Sequence, residues 1–122
     1  MHKEQRMDIA VKRVYAAPAP EDGFRILVDR LWPRGVSKEH AEVDLWAKDV
    51  APSNELRKWF DHDPAKWREF TKRYRAELDA APEHLATLRE AMAGRNKVTL
   101  LYGAKNEGNN QAVFLKELLA AR

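Results

Sequence analysis

One run constrains this chain more than any other: Phe24-Arg25-Ile26-Leu27-Val28-Asp29-Arg30-Leu31-Trp32-Pro33-Arg34-Gly35. Its centre, Ile26-Leu27-Val28, does not alternate between apolar and polar residues. A strand with one face in water alternates, and a strand covered on both faces does not. The run therefore predicts a buried strand over 24–31, with helices on both sides of its sheet. It closes on an acid, two arginines and a tryptophan, and Pro33 and Gly35 then stop regular structure. A buried strand that ends this way delivers charged groups to the rim of a sheet.

The flanking segments fit such a sheet. Ile9 and Val11 alternate with Ala10 and Lys12, which predicts a first strand over 8–15 with a slip near Arg13. Two prolines and Gly23 make 16–23 a loop. Ser37 is placed to cap a helix reaching Val50, because Val43, Trp46 and Val50 repeat at i, i+3 and i+7. Ser53 caps a short helix carrying Leu56, Trp59 and Phe60. Asp63 and Pro64 open a helix to about Ala80, with Trp67, Phe70, Thr71, Tyr74 and Leu78 as its apolar stripe. Pro82 restarts a helix that Gly94 closes. Lys97–Tyr102 is a β-rich and central strand, and the polar turn 103–110 leads into a last helix. The expected fold is α/β: a small sheet of three or four mainly parallel strands flanked by about five helices. At 122 residues the chain fits one domain over 8–122 after a flexible N-terminus at 1–7.

Charge and composition narrow the chemistry. The formal net charge is +3, with acids and bases interleaved. That permits an anionic ligand but lacks the one-sided basic stripe of a dedicated nucleic-acid binder. The sequence contains no cysteine, which excludes disulfides, thiolate metal sites and cysteine nucleophiles. No histidine pair has ligand spacing, so no metal is expected. No glycine-rich phosphate loop exists, since Gly103 and Gly108 are wrongly spaced for one. Ser37 and Ser53 read as caps rather than nucleophiles, and no cofactor is implied. No membrane span is expected, the first residues lack the apolar core of a secretion signal, and the expected location is the cytoplasm.

In a parallel α/β sheet, ligands bind beyond the carboxyl ends of the strands. The second strand ends in Asp29, Arg30, Trp32 and Arg34. The third ends in Tyr102, Lys105, Asn109 and Asn110, just before a helix. If the two are parallel neighbours, Arg30, Arg34, Lys105 and the helix N-terminus surround one anion-receptive pocket. Each residue has a structural reading as well. Asp29 can pair with Arg30 or a lysine, the arginines can pin loops, Trp32 can be core, and the asparagines can be turn and cap residues. His62, between Asp61 and Asp63, reads as part of a helix-capping loop.

The segment Arg25–Lys38 resembles the domain of unknown function 488 family, in its short YeaO-like branch. The likeness continues through Leu45–Ser53, Leu56-Arg57-Lys58-Trp59-Phe60, Trp67–Phe70 and Tyr74–Leu78. It ends with Thr99–Lys105 and the Asn109-Asn110 helix start. It covers nearly the whole chain from residue 8. The resemblance implies a compact α/β domain and no agreed activity. Longer relatives carry Cys and His near the later turn, and their thiol chemistry does not transfer to a chain without cysteine. Where the family usually has Ala after Tyr102, this chain has Gly103, which is expected to loosen the turn.

Three functions follow as expectations. The first is a small cytoplasmic protein, an enzyme or not, whose Arg30, Arg34 and Lys105 hold an anion. Asp29 would orient an arginine or act as base, and Tyr102 would be a polar contact. The second is a nucleic-acid-binding or regulatory module that uses Trp32, Trp59, Trp67 and Tyr74 to stack bases. No basic recognition helix of a helix-turn-helix is visible, which weighs against DNA reading. The third is a structural or interaction domain in which Asp29, Arg30 and Arg34 only pin loops.

Overall fold

The computed structural model describes residues 7–120, so the expected flexible N-terminus lies, apart from Met7, outside the described residues. Among these residues, four strands form one sheet: β1 (Asp8–Arg13), β2 (Phe24–Leu27), β3 (Leu45–Trp46) and β4 (Lys97–Tyr102). Their order is β1-β4-β2-β3, and every neighbouring pair is parallel. β4 is central, as its apolar run requires. Arg13 sits level with Tyr102 and Leu27 level with Leu101, so the carboxyl ends of β1, β2 and β4 share one edge.

Among the described residues, five α-helices accompany the sheet: α1 (Lys38–Ala41), α2 (Asn54–Phe60), α3 (Trp67–Ala80), α4 (Pro82–Met92) and α5 (Gln111–Ala120). Ile26, Leu27 and Val28 are all 0% exposed, so both faces of β2 are covered. The cover is unequal. Ile26, Val28, Val98 and Leu100 pack against apolar residues of α2, α3, α4 and α5. Leu27 and Leu101 face the other way, under Ala41 of α1 and the half-buried Trp32, Val36, Val43 and Trp46. On α3 the buried residues are Phe70, Tyr74 and Leu78, one stripe at i, i+4 and i+8. Each such burial contributes about 1.5–3 kcal/mol.

The helix expected from Ser37 to Val50 is not formed. Ser37 does cap, its Oγ accepting the His40 N–H at 3.2 Å, but α1 stops at Ala41. Glu42 takes a left-handed conformation (φ 49°) and turns the chain away. The Asp44 N–H then donates to the Arg25 carbonyl at 2.9 Å, and the Ala47 N–H to that of Leu27 at 2.8 Å. β2 offers an edge whose backbone groups need partners, and β3 supplies them. The i, i+3, i+7 spacing over 43–50 is coincidental. The first strand also ends early, at Arg13, where its alternation slips.

β2 stops at Leu27 rather than Leu31. The Val28 N–H still reaches the Leu101 carbonyl at 3.1 Å, but the Gly103 N–H donates to the side chain of Asp29, not to backbone. The ladder ends where a carboxylate replaces a carbonyl. Residues 29–36 are thereby released to form a loop over the sheet edge.

Candidate functional site at the strand ends

Asp29 is the hub of that edge. One carboxylate oxygen accepts the Gly103 N–H at 3.0 Å, and the other accepts the side-chain amide of Gln111. Its own carbonyl accepts the Trp46 indole N–H at 2.8 Å. One residue thus ties the end of β2 to the β4–α5 turn, to the start of α5 and to β3. Gly103 packs closely against this carboxylate. A Cβ at this position would lie 2.9 Å from Asp29 Oδ2 and 3.7 Å from Pro33 Cβ. Asp29 pairs with neither Arg30 nor a lysine among the described residues. Burial pushes its pKa up to about 6, although the Gly103 N–H, the Gln111 amide, Arg57 and His62 all favour the charged form.

A cavity of about 480 Å³ opens beside this carboxyl. The structure brings Asp29, Arg30, Trp32, Arg34, Asn109 and Asn110 to its wall. It does not bring Tyr102 or Lys105. Tyr102 is buried at 3% exposure among the apolar residues under the helices, and Lys105 is exposed outside the cavity wall. Arg57 and His62 line the cavity instead. Arg57 lies in the last turn of α2, and two consecutive left-handed residues, Asp61 (φ 47°) and His62 (φ 56°), reverse the chain just after it.

The wall residues differ in how far their polar groups are already used. Arg30 donates from Nε to the Pro52 carbonyl at 2.9 Å and from Nη2 to that of Ala51 at 3.0 Å. It pins the turn before α2, so Asp29 does not orient it. Trp32 donates its indole N–H to the Val36 carbonyl at 2.7 Å and meets Trp46 edge to face at 5.4 Å. Asn110 is 2% exposed and caps α5, its Oδ1 accepting the Val113 N–H at 3.1 Å. Its Nδ2 donates to the Asn106 carbonyl, and Asn106 Oδ1 in turn accepts the Asn109 N–H, both at 2.9 Å. Arg34 is the exception. Its carbonyl accepts the Tyr15 hydroxyl at 2.8 Å, but among the described residues nothing engages its exposed guanidinium. Arg57 has one side-chain partner, Asn54 Oδ1 at 3.2 Å. No group of three or more His, Asp or Glu among the described residues could hold a metal ion.

The family model described as "Inactive DUF488-N3 subclade" matches residues 8–122. The chain belongs to the DUF488 family. The uncharacterized protein Rv3073c of Mycobacterium tuberculosis (strain ATCC 25618 / H37Rv) is 44% identical over 123 residues, covering 100% of both chains. The uncharacterized protein YeaO of Escherichia coli (strain K12) is 42% identical over 113 residues, covering 93% of this chain and 97% of its own. No solved structure matches the chain. The α/β domain that the resemblance implies is seen in the parallel sheet and helices described above. Among the described residues, no helix is long and apolar enough to cross a membrane.

Gln111, Arg57, Tyr15 and Phe70 were not legible as site residues. Gln111 follows directly on Asn109-Asn110, and that adjacency was the one available signal. Arg57 reaches the cavity only through the packing of α2, which leaves no mark in local sequence.

Proposed function

We propose that the strand-end cavity binds a small molecule carrying a phosphate or carboxylate group. The observation that carries this reading is the unengaged guanidinium of Arg34 in a concave wall it shares with Arg57 and His62. A guanidinium in such a wall gains most from an oxyanion that takes two of its N–H groups at once. The cavity volume of about 480 Å³ falls within the range of small-molecule sites. No bond-making step is assigned, because both oxygens of Asp29 already hold donors. The matching subclade is described as inactive, which points the same way.

The other readings have less support. Of the four rings that would stack bases, Tyr74 is 0% exposed and Trp67 is stacked on Phe70. Trp32 lies against Trp46, and Trp59 carries Lys66 and Arg73 over its ring. A purely structural role explains Arg30 but leaves Arg34 and the cavity without a use.

The test is thermal unfolding with inorganic phosphate and with phosphorylated and carboxylated metabolites. A ligand at ten times its dissociation constant adds about 1.4 kcal/mol, which raises the melting temperature by roughly 4–6 °C. Arg34→Ala is expected to lose that rise. No rise with any anion in the wild-type protein refutes the reading.

A further inference from the structure

The cavity wall also carries large apolar side chains that an anion alone does not explain. Among the described residues, the large hydrophobic side chains left exposed are Leu31 at 58% and Tyr15 at 47%. Both stand on the wall of this one cavity, with Pro33 and Pro52 beside them. A single exposed leucine needs no explanation, but two large apolar groups converging on one concavity do. The position of Tyr15 is fixed. The Tyr15 hydroxyl is tied to the Arg34 carbonyl at 2.8 Å, and Arg13 covers its ring at 4.9 Å while donating from Nε to the Ala104 carbonyl at 2.9 Å. The volume agrees. A free phosphate or carboxylate occupies only a few times the ~30 Å³ of one water, so most of the 480 Å³ would stay unfilled.

We infer that the ligand of this cavity is an acidic group joined to a ring-bearing apolar body, such as an aryl phosphate or an aromatic carboxylate. The acidic group meets Arg34 and Arg57, and the ring lies against Leu31 and Tyr15. The inference rests on the anion-binding reading above and adds the chemistry of the rest of the ligand. Apolar bodies bind in proportion to the area they remove from water, so the ring strengthens binding beyond the anion's own contribution.

Isothermal titration calorimetry with four probes tests it: inorganic phosphate, phenyl phosphate, acetate and benzoate. At least one ring-bearing probe is expected to bind ten-fold or more tighter than its ringless counterpart. Which pair shows the gain distinguishes a phosphate from a carboxylate ligand. Leu31→Ala is expected to shrink that ratio to about three-fold or less, and the exposure of Leu31 makes the variant safe to fold. Equal affinities within each pair, with binding still lost in Arg34→Ala, overturn this inference alone. A ring gain that survives Leu31→Ala undiminished also overturns it. If no probe binds in an Arg34-dependent way, the anion reading fails and this inference fails with it.

Discussion

Replacing Asp29 by Asn is expected to stabilise the protein relative to wild type above pH 6 and to leave it near wild type around pH 4. The folded carboxyl has a pKa of about 6, against an ordinary value of 3.8. The folded state therefore holds this proton more tightly than the unfolded state does. Its contribution is fully present below about pH 3.8 and is lost as pH rises through about 6. A difference of about two units, at 1.36 kcal/mol each, is about 3 kcal/mol. Asparagine never ionises, so the variant escapes that loss. Its amide oxygen still accepts the Gly103 N–H, and Gln111 can turn its own oxygen toward the new NH₂. Urea denaturation of both proteins from about pH 4 to 8 yields the difference directly. Subtraction removes Asp22 and Glu69, whose pKa values are lowered and whose contributions run the opposite way. The expected difference grows by about 3 kcal/mol toward neutral pH, with its midpoint between the two pKa values. A difference that stays flat across the range refutes the assignment of a buried, ionisable Asp29.

The remaining predictions concern the frame around the site. Tyr74 is 0% exposed and donates its hydroxyl to the Val50 carbonyl. Tyr74→Phe leaves that carbonyl unpaired and is expected to cost about 1–3 kcal/mol in urea denaturation, so wild-type stability would count against the bond. Asp22 accepts from Lys12 and from Arg25, which is 3% exposed. Asp22→Ala leaves a buried guanidinium without its counter-charge, held only by the Ala41 and Glu42 carbonyls, and a loss of about 3 kcal/mol in the same assay is expected. Arg30→Lys keeps the charge but cannot hold the Ala51 and Pro52 carbonyls with one planar fork. A fall in unfolding free energy of about 1–2 kcal/mol is expected, and an unchanged value would remove the pinning role.

What the sequence determined by itself was the set of elements whose cues are local. The unbroken apolar centre of β2, the stripe of α3, and the caps at Ser53 and Asp63 depend on neighbours a few residues away. So do Pro82 and Gly94 at the two ends of α4, and the acid and arginines that follow β2 were legible for the same reason. Tertiary structure decided which distant groups share that end. β3 formed because β2 offered it an edge, a fact no window over 43–50 contains. Asp29 found Gly103 and Gln111, more than seventy residues away, only once β2 and β4 lay parallel in register. The same register left Lys105 outside the cavity, while the packing of α2 brought Arg57 to its wall. Local patterns encode what each segment can become, but the shape and charge of a cavity are set by the walls that meet there.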